Sequence, residues 1–185
     1  MENIGERLVG DYLKAIKNCD FVEYNLHTKN VQGEIDVIGI NANKKELYVC
    51  EVAVHLETGL QYVNPSTKTP DNVNRFLKKF EKNKQYAENN FEGYQIAYMI
   101  WSPIVKTSKS GSKNNQANDI LEIIKQLKEK LDIDVKIICN NDYKSCIDEL
   151  RDWSKNQTQE LKSPVMRLFQ IEEKLKRHLE KINQK

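Results

Sequence analysis

The sequence predicts an α/β domain with a C-terminal helical extension, on three observations. Apolar residues recur at helical spacing near the start of the chain. Three strand-like runs follow, the last two joined by a tight polar turn, and beyond them helical and strand-like segments alternate. The predicted order is αβββαβαβαα.

In 2–17, Ile4, Leu8, Tyr12 and Ile16, joined by Val9 and Leu13, share one wide face and predict an amphipathic first helix. Glu6 falls about 20° beyond Leu13 on a wheel of 100° per residue, at the rim of that face. Three strands are predicted at 21–27 (FVEYNLH), 33–40 (GEIDVIGI) and 46–55 (ELYVCEVAVH), with NANKK turning the last two into an antiparallel hairpin. Pro70 and Asp71 start a second helix over 70–90, and YQIAYMIW (94–101) reads as a fourth strand. The lysine-, serine- and asparagine-rich stretch 106–118 reads as a polar loop. A helix over 118–131, a strand VKIIC (135–139) and a helix over 143–156 follow. The last helix opens at SPVM, with Ser163 as cap and Pro164 in the first turn, and runs to about 182.

At 185 residues the chain has room for one substantial core, with 1–157 as the α/β domain and 158–185 as the helical extension. Charged residues make up 30% and apolar residues 39%, and no apolar run approaches the roughly 18 residues that span a bilayer, which excludes a membrane partner. The opening MENIGERLVGDYL lacks the features of a secretory signal, so a cytoplasmic location is expected. Cys19, Cys50, Cys139 and Cys146 form no C-x-x-C pair, which fits a reducing compartment and argues against a cysteine metal site. A net charge of +2 announces no nucleic-acid binder by itself, so the distribution of charge has to be read instead.

Two carboxylates stand out. In 46–55, Leu47, Val49, Glu51, Ala53 and His55 alternate with Tyr48, Cys50, Val52 and Val54, so both faces around Glu51 are apolar. Asp36 sits likewise among Ile38, Ile40, Ile35 and Val37. If the hairpin sets the two acids on one side, their charges conflict in low dielectric, and a divalent cation resolves the conflict. Few hard oxygen ligands make an Mg²⁺ style of site, suited to activating a water against a phosphodiester.

The order α-β-β-β-α-β with Glu6, GEID (Asp36) and CEVA (Glu51) resembles the PD-(D/E)XK nuclease superfamily, in its restriction-endonuclease-like and Holliday-junction-resolvase-like members. The resemblance covers roughly 2–140 in topology, on a short motif. It implies a restriction-endonuclease-like αβββαβ core with a mixed central sheet flanked by helices. It also implies Mg²⁺ (or Mn²⁺) held by Asp36 and Glu51 with Glu6 in support, and hydrolysis of DNA. The lysine that such families place two residues after the second acid is here Ala53. Three explanations stay open. The lysine has moved to the second helix, where Lys84 falls inside the arc of Val73, Phe76, Leu77, Phe80 and Ala87. Alternatively His55 replaces it, or activity is lost and the fold serves as a module that binds nucleic acid or a protein partner.

Arg75, Lys78, Lys79 and Lys82 cluster opposite that apolar arc as a strip suited to phosphates, and Lys106, Lys109 and Lys113 on the polar loop are further candidates for binding nucleic acid. In the last helix Leu168, Leu175 and Ile182 recur every seven residues, with Val165, Ile171, Glu172 and Leu179 between them. The stripe serves either a homodimer or docking on its own domain.

Overall fold

Along the third strand, alternate side chains enter two different cores, and this divides the molecule into three layers. The structure, a computed structural model, describes residues 3–27, 34–108 and 115–183. Its elements are α1 (Ile4–Ala15), β1 (Phe21–His27), β2 (Glu34–Asn41), β3 (Glu46–Val52), α2 (Asn72–Asn90), β4 (Gln95–Ser102), α3 (Gln116–Leu131), β5 (Val135–Cys139), α4 (Asn140–Lys155) and α5 (Pro164–Asn183). One five-stranded mixed sheet runs β1-β2-β3-β4-β5, antiparallel across β1, β2 and β3 and parallel across β3, β4 and β5.

On one face Val37, Tyr48 and Cys50 meet Leu8, Val9, Tyr12 and Leu13 of α1, Tyr143, Cys146 and Leu150 of α4, and Met166 and Phe169 of α5. Trp101 lies at the middle of this layer, edge-on to Tyr12 and Tyr143. On the other face Leu47, Val49, Tyr98 and Ile100 meet Phe76, Phe80 and Ala87 of α2 and Ile120, Ile123 and Leu127 of α3. Burial of these side chains drives the layering, each fully buried aliphatic contributing roughly 1.5–3 kcal/mol.

The expected element order holds throughout, with three adjustments. β3 stops at Val52 rather than continuing to His55, because its neighbour β4 ends at Ser102 and Pro103 has no N–H with which to extend a ladder. Ala53 N still donates to the Trp101 carbonyl, and the chain then leaves the sheet. Ile4, expected on the buried face of α1, is 70% exposed, because it borders the open groove beside α5 instead of the sheet. Ser163 does not cap α5 with its side chain; its hydroxyl donates to the Asp11 carboxylate on α1, and only its carbonyl joins the helix, accepting from Arg167 N.

Between β3 and α2 lies a long segment that two buried amides hold down. Gln116 Oε1 accepts from Leu60 N (3.0 Å) and Lys106 N (2.9 Å), and its amide donates to the Thr58 carbonyl. Asn72 Oδ1 accepts from Tyr62 N (2.7 Å), while its amide donates to the Leu60 carbonyl and to Asp119. These bonds seat the first turn of α2 over the sheet.

α1 comes close to β2 at Gly39, where an added Cβ would stand 2.8 Å from Leu13 Cδ1 and 3.1 Å from Cys19 Sγ. Leu13 is fully buried and has nowhere to retreat. Gly39→Ala is therefore expected to destabilise the fold by about 1–3 kcal/mol in urea denaturation. An unchanged midpoint would contradict this packing.

Candidate functional site

The β2–β3 register places the two strand acids side by side. Val37 pairs with Cys50 and Ile38 with Val49, so the next rung holds Asp36 and Glu51 on the α2 side of the sheet. The ladder hydrogen bonds give way at that rung. Asp36 Oδ2 accepts from Val52 N at 2.7 Å, its side chain taking the position of a backbone acceptor.

Glu51 has no solvent exposure. Its Oε1 accepts from Asn83 Nδ2 at 2.7 Å, and its Oε2 meets the ammonium of Lys79. The same ammonium reaches Asp36 Oδ1 at 3.0 Å and Oδ2 at 3.2 Å. One cation thus bridges two carboxylates that would otherwise repel. Burial, and then the Asp36 charge, raise the Glu51 pKa well above the carboxylate range, with Lys79 and Asn83 opposing. Burial alone would lower the Lys79 pKa, but Glu51 and Asp36 outweigh it and the pKa is raised.

α2 delivers both helper residues because Lys79 and Asn83 are one turn apart and lie on the same edge of its buried face. The wheel assigned Lys79 to the outward strip. Its long stem instead folds back from the rim, leaving the side chain 27% exposed. Asn83 was missed altogether, although a polar residue inside the arc of Phe76, Phe80 and Ala87 was a visible signal.

Glu6 comes to the margin of this cluster. Gly5 lets α1 pack closely on Val54, where a Cβ would collide with Val54 Cγ2, so the first turn abuts the carboxyl end of β3. Glu6 is buried, and its Oε2 accepts from Asn25 Nδ2 at 3.0 Å. Burial first, and the Asp36 charge among lesser causes, raise its pKa.

Two expected candidates stand elsewhere. Lys84 pairs with Glu88 one turn on, because it lies about 100° around α2 from Asn83, on the side toward Asp132 at the end of α3. His55 is exposed past the end of β3; its carbonyl accepts from Gly59 N, and among the described residues its imidazole bonds to none of the cluster. Lys106 is exposed and its ammonium donates to the Glu57 carbonyl. Lys109 and Lys113 lie outside the described residues.

A cleft of about 380 Å³ opens onto Asp36 and Lys79, lined also by Glu34, Arg75, Lys78, Lys82 and Asn83, with Glu51 buried behind them. The basic strip of α2 is thus one wall of the site. Arg75 lies over the Tyr62 ring at 4.5 Å, which fixes its guanidinium at the rim. Two acids bridged by one cation, under a basic wall, can hold a divalent ion and receive a phosphate.

No protein-family model matches the chain, and no curated protein matches it. No helix among the described residues is long and apolar enough to cross a membrane.

Because Glu51 holds its proton more tightly when folded than when unfolded, folding takes up a proton. The contribution of Glu51 to stability is therefore fully present at low pH and is lost as pH rises above the ordinary carboxylate value of 4.5. Lys79, with its pKa raised above 10.5, stays charged across this window. Without divalent ions, the stability of Glu51→Gln relative to wild type should climb from pH 5 to pH 8, by at most about 1.4 kcal/mol per pH unit. A difference that stays constant with pH in thermal unfolding would contradict the assignment.

Proposed function

We propose that this protein is a Mg²⁺-dependent phosphodiesterase acting on DNA, with a PD-(D/E)XK-like site on a restriction-endonuclease-like core. The observation that carries the reading is the convergence of Asp36, Glu51 and Lys79 at the floor of a basic cleft. The donor set fits a metal: Asp36 and Glu51 already converge on one point cation, and hard carboxylate oxygens suit Mg²⁺, with Mn²⁺ as a substitute. When bound there, the ion supplies charge neutralisation and an acidified water.

The chain's own residues do the remainder. Val52 N holds Asp36 in orientation and Asn83 holds Glu51. Lys79, displaced a short way from the carboxylates, is placed to donate to the attacking water or to a non-bridging phosphate oxygen, the task that Ala53 cannot perform. Arg75, Lys78 and Lys82 bind the flanking phosphates along the cleft. Glu6 borders the site from α1. The missing lysine of β3 is thereby replaced from α2, by Lys79 rather than Lys84.

One observation favours a second reading. The Lys79 ammonium satisfies both carboxylates without a metal, as it would in a module that keeps the fold and binds DNA without cleaving it.

Purified protein with Mg²⁺ or Mn²⁺ should nick or cut plasmid DNA. Asp36→Ala should abolish this, Lys79→Ala should lower the rate about a hundredfold or more, and Lys84→Ala should leave it unchanged. Wild-type cleavage by Asp36→Ala would overturn the proposal, and DNA binding without any cleavage would favour the second reading. The double variant Arg75→Ala and Lys78→Ala should weaken DNA binding and reduce the slope of log affinity against log salt by about two. An unchanged slope would remove the strip from the interface.

A further inference from the structure

α5 buries one side and leaves the other uncovered. Met166, Phe169 and Gln170 face the helix's own domain, and no described residue after Gln170 is buried. Leu168, Ile171, Leu175, Leu179 and Ile182 are each about half exposed. On a helical wheel these five fall within about 40° of Leu175, with Met166 about 180° away. The second half of the helix therefore carries Leu175, Leu179 and Ile182 into solvent, where a lone amphipathic helix is marginal. Beside the first half, Ile4, Pro164, Val165, Leu168 and Ile171, flanked by Arg7 and Arg167, line a mostly apolar groove of about 700 Å³ between α1 and α5.

We propose that this surface takes α5 of a second copy of the chain, running antiparallel about a two-fold axis at Leu175. The spacing of the stripe reads the same in both directions from that residue. Leu168 then faces Ile182 of the other copy, Ile171 faces Leu179, and Leu175 meets itself, a self-complementary contact that closes as a dimer. Leu179 and Ile182 of each projecting half lie along the groove of the other copy. Parallel pairing would leave both grooves empty.

Charge agrees on one flank. Glu172, which also pairs with Arg151 of its own chain at 3.6 Å, and Lys176 lie on the same side of the stripe, about 60° and 100° from its centre, so antiparallel pairing brings Glu172 of each copy within a turn of Lys176 of the other. Opposed helix macrodipoles add to this. The other flank carries Lys174, His178 and Lys181, all exposed, whose mutual repulsion salt screens.

The test is made at moderate salt with the full chain. Sedimentation should give a mass twice the 21.6 kDa chain at micromolar concentration. Leu175→Glu, at an exposed position, should keep the circular dichroism of the wild type and weaken association about a hundredfold, since it buries two facing charges. Under mild oxidation, Leu168→Cys mixed with Ile182→Cys should give a disulfide-linked dimer. Leu168→Cys alone should not, because its two copies stand about 21 Å apart along the helix. A monomer at all concentrations, dimerisation unaffected by Leu175→Glu, or cross-linking of Leu168→Cys alone would each overturn the proposal.

Discussion

A carboxyl group with no solvent exposure, at the end of a central strand, has either to keep its proton or to be met by positive charge and hydrogen bonds, and the local structure is arranged around that requirement. Glu51 is reached by Lys79 and Asn83 from α2, and the same lysine satisfies Asp36. For Lys79 to arrive, α2 must sit low over the β2–β3 edge. The buried amides of Asn72 and Gln116 hold it there by tying down the segment that leads into it. For the two acids to share one cation, β2 and β3 must keep their register. A slip of one residue would send Asp36 to the opposite core.

The cluster is an ion pair in a place where desolvation is expensive, so it is weak evidence of stability for its own sake. What the charged arrangement offers is two carboxylates sharing the Lys79 ammonium, with Asp36 and Lys79 facing a basic cleft. On the proposed reading, Asp36 and Glu51 would hold the ion, and Val52 N and Asn83 would keep both carboxylates oriented for it.

Much of this was legible in the residues. The element order, the hairpin and the pairing of Asp36 with Glu51 follow from alternation and from the NANKK turn, since strand period and turn length together fix register. The lysine was not legible. A wheel treats a helix as lying squarely on its apolar arc, whereas α2 meets the sheet on an edge marked by Asn72 and Asn83, and a four-carbon stem at Lys79 spans the remaining distance. Lys84 lost to Lys79 for the same reason: the choice depends on where the helix crosses the strands, which is tertiary. The early end of β3, which carries His55 out of the site, depends on a proline in a different strand's continuation.

The central claim is the proposal that Asp36 and Glu51 form a metal site whose place is held by the Lys79 ammonium. A crystal soaked in Mn²⁺ and measured near the manganese absorption edge tests it most directly. An anomalous peak between the two carboxylates, with the Lys79 ammonium withdrawn into the cleft, is the result the account predicts. Full manganese in the soak with no peak there, and Lys79 still bridging both acids, would contradict it.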